Sequence, residues 1–107
     1  MRAGQKVGIS VCDITRAQPR QLMLEALFSE MPDIRIEDVT IFIATGTHRA
    51  NTTDEIEKML GREIASRCRV ICHNARDGAS LAHAGNTGTG VPILLNREWL
   101  ESDFKIT

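Results

Sequence analysis

Apolar residues along this chain change their period several times, and each change marks an element. Val7, Ile9 and Val11 alternate with small or polar neighbours, the pattern of a strand running up to Asp13. Pro19 then stands where a first helical position accepts proline. Beyond it, Leu22, Met23, Ala26, Leu27 and Met31 recur at three- and four-residue steps, which predicts a helix with that face apolar, ending at Pro32-Asp33. Val39 to Ala44 is a short, largely β-branched run, suited to a strand covered on both faces. Thr45-Gly46-Thr47-His48 follows as a loop. Thr52 and Glu55 have the spacing of a capping box, and Ile56, Met59, Leu60 and Ile64 continue at helical steps. Gly61 inside that run admits two shorter helical pieces.

Arg69 to Cys72 reads as a third strand. From Asn74 to Gly90 the glycines, with Asn86 and Thr87, predict loops and turns. Val91 to Leu95 is a fourth strand, with Pro92 placing it at an edge or a strand start. Glu98 to Ser102 suits a helical turn, and Asp103 to Thr107 begins another strand. Strands alternating with helices predict an α/β fold, Rossmann-like, with a mainly parallel sheet and right-handed crossovers over residues 1–107. Working loops in such sheets leave the carboxyl ends of strands. The last strand stops where such a loop is expected, so the chain reads as part of a longer domain.

Composition narrows the function. Thirteen basic against 14 acidic residues give a formal charge of -1, and Lys6, Lys58 and Lys105 lie far apart. That leaves no cationic footprint for DNA or RNA. No stretch reaches the ~20 apolar residues of a membrane span, and no apolar leader opens the chain. Cys12, Cys68 and Cys72 form an odd, small set that suits a reduced, cytoplasmic compartment. Their spacing matches no zinc knuckle or ribbon, so buried apolar thiols are expected and no metal site.

Two strand-end loops carry candidate chemistry. Asp13-Ile14-Thr15-Arg16 puts a carboxylate, a hydroxyl and a guanidinium at a helix entrance. Arg16 could grip a carboxylate or phosphate with two prongs, and a helix amino end favours anions. The same residues also fit a helix cap beside a solvated arginine. Thr45-Gly46-Thr47-His48-Arg49 is the second loop. Gly46 allows close backbone approach, and His48 suits proton transfer because a free imidazole titrates at about 6.5. His73 and His83 read as structural. Gly85 to Gly90 lacks the Lys-Ser/Thr of a phosphate loop and precedes a strand, which favours a simple turn.

Together, Asp13-Ile14-Thr15-Arg16, Ala44-Thr45-Gly46-Thr47-His48-Arg49, His73-Asn74-Ala75-Arg76-Asp77 and the glycine-rich turn into Val91-Pro92-Ile93-Leu94-Leu95-Asn96 resemble the N-terminal part of the lactate racemase family, the nickel-pincer-nucleotide enzymes. The resemblance runs from Lys6 over nearly the whole chain. It implies racemisation or epimerisation of a small-molecule 2-hydroxy acid by hydride transfer to a nickel-pincer nucleotide. His48 is implied as one of two acid/base histidines. Asp13, Thr15, Arg16, Thr45, Gly46 and Thr47 are implied as cofactor-binding, and Arg16 and Arg49 as substrate-binding.

The chain departs from the family in carrying Ala17 and Ala50 where proline commonly follows each arginine. The family's second acid/base histidine, its cofactor-anchoring lysine and its nickel ligand belong beyond residue 107. These residues alone are therefore expected to hold cofactor and substrate without completing a racemisation cycle. The competing expectation is a stand-alone anion- or nucleotide-binding module without chemistry. An open parallel sheet with free edges is also expected to pair with further copies.

Overall fold

A computed structural model describes residues 1–107. Its centre is a four-stranded sheet in the order β3-β2-β1-β6, formed by β1 (Val7–Cys12), β2 (Val39–Ala44), β3 (Arg69–Cys72) and β6 (Phe104–Ile106). Every pairing in it is parallel, with Val7 beside Val39 and Phe104, and Ile43 beside Cys72. The helices are α1 (Arg20–Glu30), α2 (Thr53–Leu60), α3 (Arg62–Arg67) and α4 (Arg97–Glu101). This is the α/β architecture expected from the switching periods.

Alternation along the strands decides which face carries the core. Val7, Ile9, Val11, Val39, Ile41 and Ile43 share one face and are buried with Leu24 of α1, Met59 and Leu60 of α2 and Ile64 of α3. The opposite face carries Gly8 and Phe42. There α4 covers it: Trp99 packs edge-on against Phe42 with ring centroids 5.2 Å apart. Such an aromatic pair adds about 0.5–1.5 kcal/mol beyond its burial. A Cβ on Gly8 would lie 2.7 Å from the Ser102 hydroxyl oxygen, so glycine is what lets α4 approach β1 this closely.

Gly61 does divide the second helical run. It has φ +85 and ψ 149 between α2 and α3, a conformation essentially reserved for glycine. The capping box also forms: the Thr52 hydroxyl accepts from the Glu55 amide, and the Glu55 carboxylate accepts from the Thr52 amide. Among the cysteines, Cys68 is buried, and that burial pushes its thiol up to about 11.

Three expectations need correction. Pro19 precedes the helix instead of opening it, and Arg20 takes the first helical position. The inward stripe of α1 is buried Leu24 with half-buried Leu27 and Phe28, continued by buried Met31 just past the helix end, while Leu22 is 69% and Met23 45% exposed. Both stripes have helical spacing in this leucine-rich stretch, and only the position of the sheet selects between them. Third, the segment expected as loops contains a strand, β4 (Leu81–Asn86), paired antiparallel with β5 (Pro92–Asn96) in a separate hairpin. Small residues and a bulge between His83 and Gly85 hide its period. The turn itself is closed by Thr87 donating its amide to the Val91 carbonyl at 2.8 Å. Pro92 starts the second strand, where its missing N–H is tolerated.

Candidate functional site

Parallel register brings the carboxyl ends of β1, β2 and β3 side by side, with Cys12 level with Ala44 and Ile43 with Cys72. Three loops therefore leave one edge of the sheet together, the place where open α/β sheets bind ligands. Asp13 begins the first loop, Thr45 the second and His73 the third.

Asp13 is the buried carboxylate of this edge, only 3% exposed. Its Oδ1 accepts from the Thr15 hydroxyl at 2.5 Å and the Thr15 amide at 3.1 Å. Its Oδ2 accepts from His48 Nδ1 at 2.7 Å. The Thr15 hydroxyl first, then His48, holds the Asp13 carboxyl below its ordinary range. An ionised carboxylate can only accept, so the proton of a neutral His48 sits on Nδ1. That leaves Nε2 with a free lone pair on a side chain 54% exposed. A buried acid steering a half-exposed imidazole is a geometry suited to proton transfer.

Arg16 is exposed in the same loop, and none of the chain's ion pairs uses its guanidinium. Its guanidinium is therefore free to grip an anion. Arg49 is placed differently. Its fork is closed on Glu55, Nη1 to Oε2 at 2.9 Å and Nη2 to Oε1 at 2.7 Å. Arg49, and then the Thr52 amide, lowers the Glu55 carboxyl to about 2. The guanidinium expected to meet substrate is thus engaged in holding the start of α2.

Thr45 is buried, and its hydroxyl donates to the His73 carbonyl, while the His73 amide donates to Ile43 at 3.0 Å. These bonds lock the second loop to the third. Gly46 has φ +58 with open space where a Cβ would stand, so its backbone angle is what calls for glycine. Gly46, Thr47, His48 and Arg49 line one wall of a cleft of about 330 Å³, and His73, Asn74 and Arg76 line the other. No carboxylate lines it. His83 is exposed on the hairpin and bonded to Asn86 at 3.1 Å.

The chain holds no group of three His, Cys, Asp or Glu side chains able to bind a metal ion. What the chain offers a ligand is the acid-free cleft with Asn74 and Arg76 on its wall, a donor set suited to an anionic group.

Two residues of the edge escaped the sequence reading. Gln18 accepts the Cys12 amide at 3.0 Å through its side-chain oxygen. Arg20 is buried beneath the first loop and donates only to backbone carbonyls. Its signal was present: a helix amino end repels cations, so an arginine in the first turn of α1 needs another reason to be there.

Residues 1–107 match the family model described as the lactate racemase N-terminal domain. The lactate racemase of Lactiplantibacillus plantarum is 29% identical over 110 residues, covering 99% of this chain and 25% of that protein. The lactate racemase of Thermoanaerobacterium thermosaccharolyticum is 25% identical over 103 residues, covering 95% of this chain and 24% of that protein. The solved lactate racemase apoprotein from T. thermosaccharolyticum superposes with a TM-score of 0.85 at 27% identity, over 96% of this chain and 25% of that one. The chain thus spans about a quarter of the length of the relatives it matches.

Proposed function

The chain belongs to the lactate racemase N-terminal domain family, and from that premise we propose that it supplies one acid–base wall of a site that inverts a small 2-hydroxy acid. The observation that carries this reading is the Asp13–His48 pair at 2.7 Å, with the exposed, unpaired Arg16 in the same loop as Asp13. Arg16 binds the substrate carboxylate as a two-pronged, charge-assisted pair. His48 Nε2 then faces the neighbouring hydroxyl and accepts its proton. A nickel-pincer nucleotide, when bound, supplies the hydride acceptor for the α-carbon. His48 holds the hydroxyl proton while that carbon is planar and returns it once the carbon is tetrahedral again. Asp13 stays ionised throughout and stabilises the imidazolium that forms.

The anionic part of the nucleotide is held by the acid-free cleft along Thr47 and Arg76. The remaining acid/base group and the nickel ligands come from outside these residues. The 107 residues alone therefore bind without turnover.

Titration of the chain with D- and L-lactate, followed by NMR at His48 and Arg16, tests the reading. Binding of both enantiomers, lost in Arg16→Ala and weaker for propionate, which lacks the hydroxyl, is the expected result. Propionate binding as well as lactate would remove the hydroxyl from recognition and leave a plain anion-binding module. Lactate racemisation by the chain alone with added nickel would overturn the division of labour.

A further inference from the structure

Arg20 is the one arginine that the fold buries, at 6% exposure, and no carboxylate pairs with it. Its partners are four backbone carbonyls. Nε donates to Cys12 at 2.7 Å, Nη1 to Gln18 at 3.1 Å, and Nη2 to Arg16 at 2.7 Å and to Asp13. All four acceptors lie between Cys12, the last residue of β1, and Gln18, the stretch that carries Asp13, Thr15 and Arg16. Burying a cation is costly unless its donors are met, and the amino end of α1 adds an unfavourable field. An uncharged cap would avoid both costs. What a guanidinium offers instead is a rigid planar fork of five N–H groups able to gather several carbonyls at fixed angles.

We propose that Arg20 is a positioning residue for the Asp13–His48 pair. By drawing the carbonyls of Asp13 and Arg16 onto one guanidinium, it folds the loop inward at both ends of the Asp13-to-Arg16 tetrapeptide. The Asp13 side chain is thereby held on the Thr15 hydroxyl and on His48 Nδ1, and the Arg16 side chain is left at the surface. That the pair handles a substrate proton rests on the function proposed above. The geometry assigned to Arg20 does not.

The ring nitrogens of His48 report this directly. In the ¹⁵N-labelled chain at alkaline pH, His48 should show one tautomer, protonated at Nδ1. Asp13→Ala should abolish that single form. Arg20→Lys and Arg20→Gln should abolish it too, moving both ring nitrogens toward averaged shifts, while amides outside residues 12–20 keep their native dispersion. Lysine keeps the charge but cannot span four carbonyls, so failure of Arg20→Lys to rescue is part of the expectation. Arg20 variants that keep a protonated Nδ1 would overturn the proposal. So would global unfolding of both, which would make Arg20 a residue of fold stability only. Failure of the racemase reading looks different: lactate would not bind, yet His48 would keep its tautomer.

Discussion

Asp13 and His48 are 35 residues apart in the chain, yet their side chains meet at 2.7 Å because β1 and β2 lie parallel and in register. The acid is buried and the imidazole half-exposed, so orientation comes from inside and reactivity faces out.

Acid should dismantle this pair in a predictable direction. The folded Asp13 carboxyl titrates below its ordinary 3.8. Its stabilising contribution is therefore present above about pH 4 and disappears as pH falls through the lowered value. Asp13→Asn should flatten the acid limb of a pH–stability curve measured by urea unfolding. An acid limb unchanged by the substitution would place the ionised form of Asp13 outside the fold's stability.

Glu55 should add a second acid-sensitive step. Its carboxyl is lowered from 4.5 to about 2 by Arg49 and the Thr52 amide. Its contribution is complete above pH 4.5 and is lost toward pH 2. Glu55→Gln should remove that dependence and shorten the protection of α2 amides in hydrogen exchange, because the charge-assisted pair with Arg49 is lost while the amide oxygen still accepts from Thr52.

Arg16→Ala should leave the melting temperature nearly unchanged, since its side chain is exposed and unpaired. Affinity for lactate should fall roughly 10- to 150-fold, the range for losing a charge-assisted hydrogen-bonded partner worth about 1.5–3 kcal/mol. Calorimetric titration measures it. Arg49→Ala should do the reverse, costing helix stability more than binding.

Two glycines should resist replacement for different reasons. Gly61→Ala forces a side chain into φ +85 and within 3.0 Å of Gln21, at a cost of about 1–3 kcal/mol. Gly8→Ala drives a methyl toward Ser102 and the Phe42 ring, an overpacking cost of about 1–3 kcal/mol. Adding Ser102→Gly to the second variant should recover part of its loss, whereas it should do nothing for the first. Thermal melts of the four proteins separate the two causes.

Self-association is expected of the 107-residue chain. The sheet ends on β3 and β6 as edges, and Val91 and Leu94 of the hairpin are more than half exposed. Light scattering should show a mass that rises with concentration. A constant monomer mass would mean that these edges are protected.

The hydrophobic periods determined much by themselves: the four parallel strands, the capping box at Thr52 and the break at Gly61 are all local patterns. The reactive loops were also legible, because they follow strand ends. Neither the partners within that edge nor the working face of α1 could be read. Leu22 and Leu24 have the same chemistry, and only the sheet beneath decides which is buried. Strand β4 was hidden because its small, bulged sequence has no period of its own and is defined by pairing with β5. The assignments of Arg49 to Glu55, Asp13 to His48 and Arg20 to four carbonyls depend on distances between segments, which sequence spacing does not carry. Local patterns are set by neighbours in the chain, and the site is set by neighbours in space.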